Sequence, residues 1–216
     1  LNAIVINVPA DYETIQAGLD VATEGDSVLV AAGTYYENII WPETNGIKLI
    51  GENRENTIID GNQNGTVLRF NGFINSTTVV GNFTLQNGSA SFGGGIYCMS
   101  SSPSLENVTL SGNSAADHGG GIYCDSSSPS LTNVTITGNT AFGGGGISCW
   151  SSSPNLVNVT LSGNSASSFG GGIYCRDASP KLENVTISGN SASLGGGIYC
   201  RYSSSPSLKN VTITNN

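Results

Sequence analysis

Few side chains in this 216-residue sequence could do acid–base chemistry, and they are scattered. Asp125, Arg176 and Asp177 come nearest to a set, with Asp117 and His118 close by. Hydrolysis of a glycosidic bond needs two carboxyl groups at a defined separation across that bond. These residues do not cluster at equivalent or adjacent positions, which argues against catalysis by this chain alone. Asp125, Arg176 and Asp177 therefore stand as weak catalytic candidates. The single histidine lies among glycines, as a solvated loop residue would. There is no Cys-x-x-Cys pair and no second histidine, so a metal cluster is not expected. The expectation is no cofactor; Ca2+ is conceivable, but no motif for it is present.

Ligand binding by aromatic rings has a clearer pattern. Tyr97, Tyr123, Tyr174 and Tyr199 recur at one position, interrupted only by Ser148. Two residues on from each stand Met99, Asp125, Trp150, Arg176 and Arg201. Phe92, Asp117-His118, Phe142, Phe169 and Leu194 form a flank. Rings with apolar faces and polar edges suit sugars. The candidate binding residues are thus Tyr97, Tyr123, Trp150, Tyr174, Arg176, Tyr199 and Arg201. A ladder of stacked tyrosines that merely stabilises a sheet is the competing reading.

A repeat places these residues. Its consensus is GGGIYC-x-SSSPSL-x-NVT-[IL]-[ST]-GN-[ST]-A, written five times, with cysteines 98, 124, 149, 175 and 200 at steps of 26, 25, 26 and 25. A fixed period of this length means stacked structural repeats rather than one globular core. In Ile96-Tyr97-Cys98 the alternation is that of a short strand, with Ile96 and Cys98 facing in and Tyr97 facing out. Ser101-Ser102-Pro103 makes a turn, and Leu105 points inward on a second strand. Alternation breaks at Asn107-Val108, which marks a bend; Asn tolerates the left-handed conformation a bend demands. Val108-Thr109-Leu110 is the third strand. Three strands per turn of about 25 residues make an all-β parallel β-helix, with coils about 4.8 Å apart. Equivalent Ile, Cys, Leu and Val side chains would stack inside, and repeated asparagines could form amide ladders.

The repeat weakens upstream but persists in Asn82-Phe83-Thr84-Leu85, Thr57-Ile58-Ile59, Ile47–Ile50 and Val28–Val30. One domain over 1–216 is expected: cap and first coils over 1–60, degenerate coils over 61–90, regular repeats over 91–216. Between Asp11 and Ala22, Ile15, Leu19 and Ala22 fall at helical spacing with Asp11 or Thr14 as caps. A short helix there would cover the apolar end of the stack, because a solenoid needs a cap. No matching cap is visible at Asn216, so self-association through that uncapped coil is a further expectation. The absence of an initial Met and of a signal peptide suggests a mature or trimmed form.

Net charge is −8, with 7 Lys plus Arg, which disfavours nucleic acid and anionic membranes as partners. No apolar run reaches the roughly 18 residues of a membrane span. The five cysteines share one repeat position, so a ladder of buried free thiols is expected rather than a disulfide framework. Asparagines in N-x-[ST] triplets, Asn107 and its equivalents included, read as bend residues rather than glycosylation sites.

Thr14-Ile15-Gln16-Ala17, then Gly25–Val30 and Ala32-Gly33-Thr34-Tyr35, resemble the opening segment of the right-handed, pectin-lyase-like β-helix superfamily. Gly51-Glu52 and Ile58-Ile59-Asp60-Gly61 fit the same pattern. Gly93–Ile96 and Leu110-Ser111-Gly112-Asn113 resemble the GGA[ILV] and FxxN repeats of chlamydial polymorphic outer-membrane proteins and related bacterial surface proteins. This resemblance implies a right-handed single-stranded β-helix at an extracellular or cell-surface location. In polysaccharide-active relatives the face bearing the tyrosines forms the substrate groove, and lyases use a basic residue beside acidic calcium ligands. The aspartate motifs of pectin methylesterases (GFxxQDT, DFIFG) are absent here. The expected function is a scaffold or binding module for a polysaccharide or a cell-surface protein partner. A lyase or glycoside hydrolase and a self-assembling filament subunit are the alternatives. So is an ice-binding solenoid, because Thr84, Thr109, Thr135, Thr160, Thr186 and Thr212 make an array resembling flat ice-binding faces. Glu106, Glu183 and Lys209 would break its flatness if they shared that face.

Overall fold

A computed structural model describes residues 2–216 as a parallel β-solenoid of about eight turns, about 26 residues each. Three long sheets run its length. The first has nine strands, from Val5–Val8 to Ser207–Lys209, with Leu105, Leu131, Leu156 and Leu182 facing in. The second has eight, from Gly33–Tyr36 to Thr212–Thr214, and carries the threonine column outward. The third, the Tyr sheet, has seven: Ile39–Ile40, Leu68–Asn71, Ile96–Met99, Ile122–Asp125, Ile147–Trp150, Ile173–Arg176 and Ile198–Arg201. Glu106, Glu183 and Lys209 end strands of the first sheet, so they do not interrupt the threonine strands.

Three strands per turn was the expectation, and four turns hold a fourth. Ser89–Phe92, Ser114–His118, Thr140–Gly143 and Ser165–Phe169 form a side sheet of their own. The residues between the Asn bend and the glycine run thus pair rung over rung instead of looping freely. The glycines then turn the chain into the Tyr sheet. A Cβ on Gly145 would lie 2.5 Å from the Ser165 carbonyl oxygen and 2.7 Å from that of Gly171, so no larger residue fits.

Register is one-to-one along the stack. Ile96, Tyr97 and Cys98 lie beside Ile122, Tyr123 and Cys124, and the pattern continues to Ile198, Tyr199 and Cys200. Alternation therefore sends every Ile and Cys of these strands to the interior. Cys98, Cys124, Cys149 and Cys175 are buried; Cys200 on the last rung is exposed, and all five thiols are free. At the other end the helix Ile15–Val21 buries Ile15 and Leu19, and Gly18 packs against Val8 and Val28. Thr14 caps it, accepting from the Ala17 N–H at 3.1 Å, and the Glu37 carboxylate accepts the N–H groups of Ile15 and Gln16. Asp11, the alternative cap, accepts the Asn7 N–H instead.

Two asparagine ladders flank the threonine sheet. The outer one is the bend series, in which Asn107, Asn133, Asn158 and Asn184 all have φ between 54° and 56°. Asn107 donates to Asn82, and Asn158, Asn184 and Asn210 each donate to the Asn one rung below. The inner ladder, which the repeat alone marked only as a turn, is buried: Asn113, Asn139, Asn164 and Asn190. Here the amide donates to the rung above, Asn113 to Asn139 at 3.0 Å and Asn139 to Asn164 at 2.9 Å. Each inner amide also closes on backbone. Asn139 donates to the Leu110 and Thr137 carbonyls and accepts the Asn113 N–H at 2.9 Å. No buried amide in this series is left without partners, which is the condition for tolerating it.

The two ladders should respond differently to substitution. Asn139→Ala strands buried donors and acceptors on both neighbouring rungs and should cost on the order of 2–5 kcal/mol. Asn133→Gly keeps the left-handed bend and should cost less than about 1 kcal/mol. Urea unfolding of both variants beside wild type measures the contrast.

Candidate functional site

The outward column of the Tyr sheet is a second layer of packing. Tyr97 stacks on Tyr123 at 5.6 Å between ring centroids, and Tyr174 on Tyr199 at 5.9 Å. The side sheet lays its own aromatics against them. Phe92 meets Tyr123 at 5.0 Å and Phe169 meets Tyr199 at 5.1 Å. Tyr123 and Tyr174 are consequently only 4% and 3% exposed. Two of the four tyrosines expected to present their faces to a ligand are covered by rings, because the flank folds as a strand beside them. Burial raises the pKa of both phenols, so they stay protonated.

The interruption at Ser148 is filled. In register across the side sheet, His118 stands beside Gly143 and Gly143 beside Phe169. That turn therefore lacks both the tyrosine and the flanking ring. The His118 imidazole occupies the vacant space, stacked on Tyr174 at 5.4 Å and edge-on to Trp150 at 5.0 Å. A Cβ on Gly143 would lie 2.6 Å from His118 Nδ1. His118 is therefore not the solvated loop residue the sequence suggested. Burial lowers its pKa, against the opposing pull of the Gly143 backbone and Asp117. The signal was legible in the four-glycine run Gly143–Gly146, where the other repeats have three. The extra glycine, Gly143, takes the position that carries His118 and Phe169 in the adjacent turns, and Phe142 stands one place before it, exposed. Around the filled gap, His118 Nδ1, Ser148 Oγ and Trp150 Nε1 are buried with no hydrogen-bond partner in the protein.

What remains accessible on this face is the next column. Met99, Arg201 and Tyr202 are exposed, and Trp150 and Arg176 partly so. The Arg176 guanidinium lies over the Trp150 ring at 4.4 Å and 5.3 Å from that of Tyr202. Arg201 covers Tyr202 at 4.7 Å, and Arg69 covers Tyr97 at 4.3 Å. Asp125 and Arg176 share this column with Trp150 between them, which puts two rung spacings, about 10 Å, between their strands. Asp125 accepts from the Ser126 hydroxyl, while Asp177 sits one residue past the strand at φ 50° and caps the Ser203 N–H. Asp177 is thus a bend residue, and Asp125, Arg176 and Asp177 do not converge on one point.

Residues 107–216 match the family described as periplasmic copper-binding protein (NosD), which is half of the chain. The chain belongs to the NosD family. No curated protein matches it closely enough to count as a relative. The family's description as periplasmic agrees with a location outside the cytoplasm, and no helix among the described residues is long and apolar enough to cross a membrane.

The family's description as copper-binding corrects the expectation that no cofactor is involved. Tested against this NosD-family chain, however, the residues do not fit a copper ion. Among the described residues no three His, Cys, Asp or Glu side chains gather as a metal site requires. The soft donors that copper(I) favours are thiols and thioethers; four of the thiols face the apolar interior, and the exposed pair, Met99 and Cys200, lie four rungs apart and cannot share an ion. The neighbouring thiol of Cys98 and burial push Cys124 well up, and Cys149, Cys175 and Cys200 are raised too. They are thiols at neutral pH, whereas the thiolate is the ligand. His118 Nδ1 is unpartnered, but it lies with the outward rings, on the opposite face of the sheet from the sulfurs.

Because His118 fills the place of a tyrosine, Ser148→Tyr should overpack the gap and cost roughly 1–3 kcal/mol. The same change in a His118→Ser background should cost much less, and thermal unfolding of the double-mutant cycle reads the coupling. The lowered pKa has a sign of its own. Above the ordinary histidine value of about 6.5, both folded and unfolded states hold His118 neutral. As pH falls below it the unfolded chain takes up the proton first, so stability declines. That part of the decline should vanish in His118→Gln, as melting temperatures between pH 7.5 and 5 would show.

Proposed function

We propose that this NosD-family protein is a binding module of the cell envelope or cell surface that holds a saccharide chain along the outer edge of the Tyr sheet. The observation that carries the reading is the accessible strip of Trp150, Arg176, Arg201 and Tyr202. There the guanidinium groups lie over aromatic rings while Tyr123 and Tyr174 behind are sealed by the side sheet. Rings and guanidinium planes pinned in this way form a firm, amphipathic shelf. A rigid rung-by-rung scaffold suits an extended polymer, because contacts repeat along the axis at a fixed interval. Tyr97 and Tyr199 contribute at the margins of the strip, where they are only partly covered. Tyr123 and Tyr174 serve the reading indirectly, as the packed layer on which the shelf rests.

A glycan array of wild type beside Trp150→Ala and Tyr123→Phe tests this. Trp150→Ala should weaken the strongest signals by roughly tenfold, the loss expected for one aromatic contact of about 1.5 kcal/mol. Tyr123→Phe should leave them intact. Undiminished binding in Trp150→Ala would remove the shelf from the account.

A further inference from the structure

The protein is acidic, with a net charge of −8, yet three of its four arginines stand on the outward face of one sheet. Arg176 and Arg201 are register partners on adjacent strands. Like charges directly opposite one another in a sheet are destabilising. Such a pair is normally relieved by a carboxylate, and 15 Asp and Glu residues are available to supply one. None does. The two ion pairs among the described residues are Arg54–Glu55 at 3.6 Å and Lys209–Glu183 at 2.6 Å. The Lys209–Glu183 pair shows the alternative arrangement in the same molecule: opposite charges as register partners on adjacent rungs of the first sheet. Asp177, next to Arg176 in sequence, is turned into the bend; Glu183 is taken by Lys209; and Asp125, the acidic residue of the same column, lies two rungs below Arg176 on the far side of Trp150.

The arginines are also held in place by uncharged groups. Trp150 lies under Arg176 and Tyr202 under Arg201. A guanidinium placed over a ring keeps edge N–H donors for other partners, and those edges match a carboxylate two bonds at a time; Arg201 turns part of its edge to the Tyr174 phenol, a neutral partner. Two such forks, on strands about 4.8 Å apart, sit beside an aromatic shelf. A neutral glycan would leave both charges unrelieved.

We propose that Arg176 and Arg201 form an anion-binding clamp that selects carboxylated saccharides, polymers of uronic acid, over neutral ones. The clamp deepens the saccharide-binding reading and rests on it. The carboxylate of the sugar bridges the two guanidinium groups and removes their mutual repulsion, while Trp150 and Tyr202 hold the rings in place.

Calorimetric titration of the folded chain with a uronic-acid trisaccharide, its neutral counterpart and a sulfated trisaccharide tests the clamp. Arg176→Gln, Arg201→Gln, Arg176→Lys and Arg69→Gln are compared with wild type. The uronate should bind at least about tenfold more tightly than the neutral sugar, and each Gln variant should lose about that factor for the uronate alone. Arg176→Lys should recover only part of it, since a point charge lacks the fork. Arg69→Gln, four rungs away, should change nothing. Affinity should fall as salt is raised. Equal affinity for uronate and neutral sugar in wild type, or uronate affinity unmoved in both Gln variants, overturns the clamp while leaving the aromatic shelf standing. Equal preference for the sulfated sugar overturns the selection of carboxylate. If no sugar binds, both the shelf and the clamp fall.

Discussion

Every feature of this molecule follows from one constraint: each residue must sit directly over its equivalent in the coil below. Parallel strands hydrogen-bonded rung to rung satisfy the backbone without any large core, and the interior is then a set of columns rather than a cluster. A side chain is acceptable only if it is content beside a copy of itself. Isoleucine, leucine and valine meet that condition by dispersion. Free cysteine meets it as a small apolar group. Asparagine meets it because an amide is both donor and acceptor, so a vertical chain of amides satisfies itself. The inner ladder, Asn113 to Asn216, and the outer ladder, Asn82 to Asn210, run in opposite donor directions and brace the two edges of one sheet.

The same constraint decides what can be presented outside. A column of tyrosines in register packs against itself, and once the side sheet forms, Phe92, Phe169 and His118 close over it. Repetition that looks like a binding surface becomes a second hydrophobic layer. The accessible chemistry lies where the repeat is broken or offset: Trp150 in place of a polar residue, arginines on consecutive rungs, a tyrosine at a bend. Trp150 and Tyr202 have no copy of themselves on a neighbouring rung, and Arg176 beside Arg201 is a like-charge pair that stacking does not reward.

Ser148 illustrates how a departure is accommodated. The turn that loses its tyrosine also carries a glycine where its neighbours carry a ring, and a histidine from the turn below fills the volume. The space is closed, but three polar atoms are left unpartnered. The thiol column shows the converse case. Its donors suit the copper named in the family description, yet four of the five are stacked inside an apolar shaft and screened by the coil wall, and the fifth, Cys200, is exposed without a second donor beside it on the surface among the described residues. Membership of the family and possession of a metal site are thereby separate properties in this chain.

Much of this was legible without coordinates. The 25- and 26-residue steps, the inward Ile-x-Cys alternation and the Asn bend determine a stack of parallel coils, because no other arrangement buries those positions equally in every copy. The capping helix was legible from the spacing of Ile15 and Leu19 after Thr14. The seven-residue span of that helix, the side sheet and the inner Asn ladder were not, because each depends on pairing with a neighbouring turn. Burial of the tyrosines was hidden for the same reason: alternation says which way a side chain points, not what will fold against it. The position of His118 required knowing that its register neighbour is Gly143, a relation between turns 25 residues apart. Local sequence sets the direction of each side chain here. Only the tertiary stack decides its company, because contact in a solenoid is made between coils, not along the chain.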